Sequence, residues 1–144
     1  MGAKGATPTE ARTTMLKVIP LGGLGEIGLN MMVIQCDDSL FVVDAGLMFP
    51  DVYMPGVDRV IPDFSYLHDN REKIMAVVLT HGHEDHIGAM PFFLREFSVP
   101  VFATAFTLRL LEEKLKEHPP ARTPELRQIA PGDRTDIGPF RIAY

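Results

Sequence analysis

The sequence predicts a mixed α/β fold in a single domain, and three observations lead to this prediction. Two apolar runs, Met31–Cys36 and Ser39–Val43, are separated by Asp37 and Asp38, which is the pattern of a β-hairpin. The continuous apolar run over residues 74–80 is typical of a central strand that is buried on both faces. Helical segments follow this run, and hairpins combined with crossover helices are typical of a mixed α/β sheet.

The first half of the chain is divided by its glycines and prolines. Residues 1–14 are small and polar and predict a disordered tail, so the folded domain is expected over residues 15–144. Residues 16–21 predict a first strand that runs into a glycine-rich turn over residues 22–28. Prolines and glycine between residues 49 and 63 indicate a long surface loop, and one or two helical turns are expected directly after it.

The second half alternates helices and short strands. Residues 88–97 predict a helix with Pro91 near its first turn, where proline is tolerated. After a short strand over residues 100–103, Thr104 can cap a helix that continues through Lys116. Three more strands are predicted: residues 126–130, 135–137 and 140–144. The last of these is apolar up to Tyr144, which favours a truncated protein.

Composition excludes several classes of protein. The chain has 144 residues, of which 46% are hydrophobic and 23% charged, so it is not wholly disordered. It has no apolar run of ~18 residues and no secretory signal, so we expect no membrane partner. One cysteine, Cys36, cannot form an internal disulfide, which is compatible with a cytoplasmic protein. The net charge of −5 argues against a compact nucleic-acid-binding module, so any such role must come from a site.

The glycines over residues 23–28 resemble a dinucleotide-binding motif, but the residues that follow them argue against such a site. Gly23, Gly25 and Gly28 fit a dinucleotide-binding fingerprint, and Asp44 lies near the spacing of its ribose-binding acid. That site needs a helix to begin at the glycines. A β-branched, apolar strand follows instead, which favours a tight turn between antiparallel strands.

The segment His81-Gly-His-Glu-Asp-His86 predicts a metal site. It follows the buried strand, at the strand end where α/β active sites form. His81 and His83 alternate, so they project together as two ligands of one ion, and Asp85 and His86 can face a second ion. Nitrogen and carboxylate donors suit zinc or manganese, and a pair of such ions can cleave a phosphodiester.

The number of ligands is too small for two complete ions. Each ion needs about three or four protein ligands, and the segment supplies four donors in all. The other histidines, His68 and His118, lie in polar or proline-rich surroundings and are interpreted as solvent-exposed. The remaining ligands are therefore expected elsewhere.

These donors resemble the His-x-His-x-Asp-His signature of the metallo-β-lactamase superfamily, and Asp44 matches that family's first motif, an Asp at a strand end. Stretches that are similar to bacterial ribonuclease J are residues 21–28 with Asn30, 44–46 with Phe49 and Pro50, 61–63 and 79–88. The resemblance runs from about residue 16 to residue 144.

The resemblance implies an αββα sandwich, here its N-terminal portion, without the family's β-CASP domain. It implies cytoplasmic hydrolysis of RNA, from the 5′ end or internally, in rRNA processing and mRNA decay. His81 and His83 would bind a first Zn²⁺ ion and Asp85 and His86 a second, with Mn²⁺ as an alternative. Asp85 and His86 would position the attacking hydroxide, and Asp44 would orient ligands.

The missing ligands imply that this chain alone is inactive and that RNA binds through the complete protein. An apolar edge is expected to be exposed where the missing half of the sandwich would pack, so we expect the chain to be a homo-oligomer. Two alternatives remain open. One is a metallo-β-lactamase-fold hydrolase of a thioester, lactone or lactam, which the glycine-rich stretch argues against. The other is a metal-binding scaffold without catalysis.

Overall fold

The computed structural model describes residues 14–144, so the tail predicted for residues 1–14 lies outside the described residues except for Thr14. The helices and strands of the described part are, in order, β1 (Leu16–Gly22), β2 (Met31–Cys36), β3 (Ser39–Val43), α1 (Ser65–Asp69), a 3₁₀ helix (Arg71–Lys73), β4 (Ile74–Val78), α2 (Glu84–Ile87), α3 (Met90–Glu96), β5 (Val101–Thr104), α4 (Ala105–Glu117), β6 (Leu126–Ile129), β7 (Arg134–Ile137) and β8 (Phe140–Ala143). Every strand predicted from the sequence is present.

The first six strands form one sheet in the order β1-β2-β3-β4-β5-β6. The pairs β1–β2 and β2–β3 are antiparallel, as the hairpin pattern predicts, and the other three pairs are parallel. Val42 of β3 pairs with Val77 of β4, and Val77 pairs with Val101 of β5. These neighbouring valines are fully buried, as expected for strands covered on both faces.

The side chains that alternate along these strands enter two different cores. Val42 and Val77 pack with the four helices on one face, together with Leu67, Phe93 and Leu111. On the other face, Phe41, Ala76, Val78 and Phe102 pack against the β7–β8 hairpin through Ile137 and Phe140. Because successive strand residues point to opposite faces, the sheet separates a helical layer from a second sheet layer. The fold class is confirmed as a mixed α/β arrangement of this layered kind.

Strand β4 is shorter and less buried than the sequence predicts. It ends at Val78, so residues 79–83 form a connection at its carboxyl end. Met75 is 40% exposed, in contrast to its buried neighbours Ile74 and Ala76. The centre of the strand is buried as expected.

The helix predicted over residues 88–97 is two helices, and the first begins earlier. Helix α2 begins at Glu84, so Asp85 and His86 lie in a helical turn and not in a loop. Pro91 lies in the first turn of α3 and has no N–H to donate to the carbonyl of Ile87, which ends α2. The break itself lies at residues 88–89, where the N–H of Ala89 donates to the carbonyl of Ala45 at 2.9 Å and not to a residue of α2.

Within residues 14–144, no helix is both long enough and apolar enough to span a membrane.

Candidate metal centre

Backbone hydrogen bonds fix the segment after β4 against the end of β3. The N–H of Asp44 donates to Val78 at 3.0 Å, which continues the parallel pairing one residue beyond the strands. The N–H of Ala45 donates to the carbonyl of His86 at 2.8 Å, and the N–H of Leu47 donates to Glu84 at 3.1 Å. The start of α2 is thereby held by backbone bonds against residues 45–47.

Gly46 allows these segments to approach closely. A Cβ on this residue would lie 1.6 Å from the carbonyl oxygen of Asp85 and 2.9 Å from the nitrogen of His86. Neither atom can move away, because both belong to the backbone of the helical turn. Any residue other than glycine would therefore displace Asp85 and His86.

His81 and His83 form the first donor pair, defined here by Nε2 of His81 and Nδ1 of His83. These two nitrogens are 3.1 Å apart, and the rings meet edge to face with centroids 4.7 Å apart. Nδ1 of His81 lies 3.0 Å from Oγ1 of Thr80. The expectation that the two imidazoles project together holds in the structure.

Asp85 and His86 form the second donor pair, defined by Oδ2 of Asp85 and Nε2 of His86, which are 3.5 Å apart. The ring of His86 also lies beside that of His81, with centroids 4.0 Å apart. All four donors predicted from the sequence are therefore neighbours at the carboxyl end of β4.

Asp44 fixes which nitrogen of His86 is protonated. Its carboxylate is buried and accepts hydrogen bonds from the N–H of Thr80 at 2.8 Å and from its hydroxyl at 2.7 Å. Nδ1 of His86 lies 2.7 Å from Oδ2 of the same carboxylate. A carboxylate only accepts, so Nδ1 carries the proton and Nε2 has the free lone pair.

Thr80 acts in the same way on His81, and sequence reasoning does not single it out. Its hydroxyl has one proton, which goes to Asp44, so Oγ1 accepts from Nδ1–H of His81. Nε2 of His81 is then also unprotonated. A polar residue at a strand end, next to a predicted ligand, is the signal that could have identified it.

Asn30 contacts the second donor pair directly. Its Nδ2 donates to Oδ2 of Asp85 at 3.0 Å and lies 3.3 Å from Nε2 of His86. In the sequence, Asn30 is part of a family-like stretch and has no predicted role of its own.

The donor pairs have the spacing of metal ligands but do not complete a site. Two ligands of a tetrahedral zinc ion lie about 3.3 Å apart, which falls between the two spacings of 3.1 and 3.5 Å. Within the described range 14–144, no group of three or more His, Cys, Asp or Glu side chains is arranged to hold one ion. Each pair can therefore supply two of the protein ligands of one ion, and the other ligands are not among the described residues.

The two other histidines lie outside this cluster. Nε2 of His68 is 2.7 Å from a carboxylate oxygen of Glu96, and Nε2 of His118 is 2.7 Å from the guanidinium of Arg59. Both side chains have a partner on the protein, so the interpretation of them as simply solvated is incomplete. His118 lines a cavity together with Gly82 and Glu84, the neighbours of His83, but its bonded partner is Arg59.

Residues 24–143 match the family described as the metallo-beta-lactamase superfamily. The chain belongs to this superfamily. The superfamily resemblance predicted from the spacing of the donors is thereby confirmed. Superfamily membership implies the use of divalent metal, in agreement with the nitrogen and carboxylate donors of the two pairs.

This metallo-β-lactamase-fold chain is also similar to ribonucleases. It is 50% identical over 117 residues to ribonuclease J2 of Bacillus subtilis, covering 81% of this chain and 21% of that protein. It is 48% identical over 133 residues to ribonuclease J of Thermus thermophilus, covering 87% of this chain and 23% of that protein. The chain thus spans about a fifth of the length of these relatives, and the predicted similarity to ribonuclease J is confirmed.

Solved structures superpose on much of this chain, and a metallo-beta-lactamase fold protein is among them. The protein YhfI from Bacillus subtilis matches with a TM-score of 0.59 at 19% identity, covering 89% of this chain and 51% of that chain. Zn²⁺-bound PqqB from Methylobacterium extorquens matches with a TM-score of 0.57 at 15% identity, covering 85% and 48%. At these identities the likeness concerns the fold alone.

Proposed function

We propose that this chain is part of a metal-dependent ribonuclease that hydrolyses RNA phosphodiesters, from the 5′ end, internally or both. The observation that carries the proposal is the spacing within the two donor pairs. The unprotonated Nε2 of His81 lies 3.1 Å from Nδ1 of His83, and the unprotonated Nε2 of His86 lies 3.5 Å from Oδ2 of Asp85, which are the spacings of two ligands of one metal ion. The identity of 48–50% to ribonucleases J over most of the chain supports RNA as the substrate class.

In this proposal His81 and His83 hold a first divalent ion, and Asp85 and His86 hold a second. Zinc suits this mixture of imidazole and carboxylate, and manganese is the alternative. Two such ions supply an acidified water and neutralise negative charge on the phosphodiester. The remaining ligands come from the part of the protein outside this chain.

The chain's own residues orient the reacting groups. The carboxylate of Asp85 is 39% exposed, so it can accept a hydrogen bond from the attacking water while it stays beside His86. His86 is held by the buried Asp44 and cannot rotate without losing that bond. Asp85 and His86 are therefore the proposed catalytic residues, and Asp44 is a positioning residue.

Charge explains why the proposal needs cations and the rest of the protein. The chain's net charge is −5, so its general field repels a polyanion. We propose that bound metal and residues outside this chain attract the RNA, and that this chain alone does not hydrolyse RNA. We also propose that the complete protein is a cytoplasmic homo-oligomer.

A chimera tests this proposal. The matching segment of Thermus thermophilus ribonuclease J is replaced by this chain's 133 aligned residues, and degradation of 5′-monophosphorylated RNA is measured. We expect the chimera to degrade RNA and His83→Ala to lower the rate at least about 100-fold, because it removes a first-pair ligand. His118→Ala, which removes a histidine outside the cluster, should leave the rate within about twofold.

A chimera that folds and binds zinc but leaves RNA intact would contradict the nuclease proposal. The isolated chain is measured in parallel on the same RNA. Turnover by the isolated chain, lost in His83→Ala, would contradict the expectation that it is inactive.

A further inference from the structure

We propose that Asn30 is a positioning residue whose side-chain amide holds Asp85 beside His86 in the geometry of the second donor pair. This inference rests on the proposed metal centre and gives the glycine-rich turn before Asn30 a role at that centre.

The main chain of Asn30 is fixed on both sides of the site. Its N–H donates to the carbonyl of Asp85 at 3.1 Å, and its own carbonyl accepts from the N–H of Gly46 at 2.9 Å. Asn30 therefore links the start of α2 to the end of β3. Its side chain projects from a backbone that is tied to both segments.

The glycine-rich turn leaves room for one end of the Asn30 amide. A Cβ on Gly23 would lie 2.7 Å from Oδ1 of Asn30, and the φ angle of Gly23 is +80°, which other residues rarely adopt. The oxygen end of the amide thus packs against a bare Cα. This placement directs the nitrogen end towards Asp85 and His86.

The amide nitrogen lies against the same two atoms that define the second donor pair. It has two protons and lies 3.0 Å from Oδ2 of Asp85 and 3.3 Å from Nε2 of His86. Both atoms accept, since Nδ1 of His86 carries that ring's proton. When no cation is bound, the two N–H groups of the amide therefore keep Oδ2 of Asp85 and Nε2 of His86 next to each other.

The two contacts respond differently to a metal ion. An imidazole nitrogen has one lone pair, so a hydrogen bond to Nε2 of His86 is lost when that atom binds metal. A carboxylate has about four acceptor sites, so Asp85 can keep its bond to Asn30 while it binds metal.

The lost contact is the weaker one. At 3.3 Å it is longer than a typical N–H hydrogen bond, whereas the 3.0 Å bond to Asp85 has an ionised acceptor. The gain from orienting Asp85 therefore exceeds the cost of losing the hydrogen bond to His86 when metal binds. The net effect of Asn30 is to raise the affinity for the second ion.

The test is a Co²⁺ and Zn²⁺ titration of this chain within the Thermus thermophilus chimera, whose remaining part supplies the other ligands. Competition against a chromophoric chelator and the visible absorption of Co²⁺ are the readouts. Asn30→Ala should weaken the second binding step about tenfold and change the Co²⁺ spectrum, while the first step stays within twofold. Asn30→Ser, which keeps a short donor, should lie between Asn30→Ala and the unmodified chimera.

Asn70→Ala is the matched control. The side chain of Asn70 also donates one hydrogen bond, to the carbonyl of Tyr66 at 2.9 Å, and its main chain is likewise bonded on both sides. It lies between α1 and β4, away from the donor pairs. Both binding steps should stay within twofold in this variant.

Three outcomes decide the inference. A second step that is weakened in Asn30→Ala but not in Asn70→Ala supports it. Equal binding in both variants overturns the role of Asn30 and leaves the metal centre intact. An unmodified chimera that folds but binds neither metal overturns the metal centre and this inference together. If circular dichroism shows that Asn30→Ala does not fold, Asn30→Ser is compared with Asn70→Ala by the same criteria.

Discussion

Oδ2 of Asp44 lies 2.7 Å from Nδ1 of His86, although the two residues are 42 positions apart in the sequence. Asp44 adopts a φ angle of +61°, a conformation that is uncommon for residues with a Cβ but several-fold enriched for Asp and Asn. The N–H and the hydroxyl of Thr80 and Nδ1–H of His86 all donate to its buried carboxylate. An amide oxygen has only two lone pairs, so a carboxylate suits these three hydrogen bonds better. The charge and the backbone conformation both support the proposal that Asp44 sets the orientation of His86.

Asp44→Asn should weaken zinc binding and lower stability. The amide keeps the shape and tolerates the positive φ, but its NH₂ group faces a donor where the carboxylate accepted. We expect zinc affinity to fall roughly 10–100-fold and the free energy of unfolding to fall by about 1–3 kcal/mol. Chelator competition and urea denaturation measure these two quantities.

Asp38→Asn makes the same chemical change in the turn between β2 and β3. Asp38 is 87% exposed there, with Lys73 as its ion-pair partner at 3.4 Å. A screened surface pair of this kind contributes little, so stability and zinc affinity should be nearly unchanged. Equal effects of the two substitutions would show that Asp44 has no special role.

Gly46→Ala should displace the helical turn that carries Asp85 and His86. The added methyl group would lie 1.6 Å from the carbonyl oxygen of Asp85, so the backbone must separate. We expect a loss of stability of about 1–3 kcal/mol or more from overpacking, together with loss of zinc binding.

Gly25→Ala is the control for this substitution. Gly25 has a φ angle of +72°, and no atom of the described residues would lie within 4 Å of the added methyl group, so only the left-handed backbone is penalised. That cost is roughly 1–2 kcal/mol, and zinc binding should persist. Retention of zinc binding in Gly46→Ala would contradict the close packing of Gly46 against α2.

Much of this fold could be predicted from the sequence, because its elements have strong local signals. The hairpin of β2 and β3 has the predicted bounds, since a two-residue polar turn separates two apolar runs. Thr104 caps α4 as predicted, accepting from the N–H of Thr107. The division of the helix around Pro91 could not be predicted, since a proline near a helix start does not reveal a separate helical turn before it.

The candidate site was only partly predictable for a different reason. His81, His83, Asp85 and His86 are nearly contiguous, so their spacing indicates a common site. Asn30 and Gly46 contribute through contacts between distant segments. Such contacts depend on strand pairing and on the approach of one backbone to another, which no local pattern encodes.

Asp63 should titrate below the ordinary aspartate value of 3.8. Hydrogen bonds from the hydroxyl and the N–H of Ser65 stabilise its ionised carboxylate and lower its pKa. A lowered folded pKa stabilises the protein above pH 3.8, and this contribution is lost as the pH falls through the folded value. Carboxyl NMR titration measures the pKa directly.

Ser65→Ala removes the hydroxyl, which is the largest cause of this shift, so the pKa of Asp63 should rise towards 3.8. Ser98→Ala, a serine that follows α3, should leave it unchanged. A pKa of Asp63 that does not respond to Ser65→Ala would contradict the hydrogen bond from the Ser65 hydroxyl to Asp63.

Strand β1 should mediate self-association of this chain. It is an end strand of the six-stranded sheet, and among the residues that the structure describes no strand pairs with its outer edge. Leu16 and Val18 on this strand are 63% and 57% exposed. An unprotected apolar edge is a template for pairing with another chain. Sedimentation velocity should therefore show species that grow with concentration.

Val18→Lys should reduce this association, because a lysine on an edge strand opposes pairing with a second strand. Val52→Lys provides the matched change at a site that is 86% exposed but lies in the loop after β3. Association should persist in Val52→Lys and fall in Val18→Lys. If the two variants sediment alike, or if the unmodified chain remains monomeric at high concentration, β1 is not the associating edge.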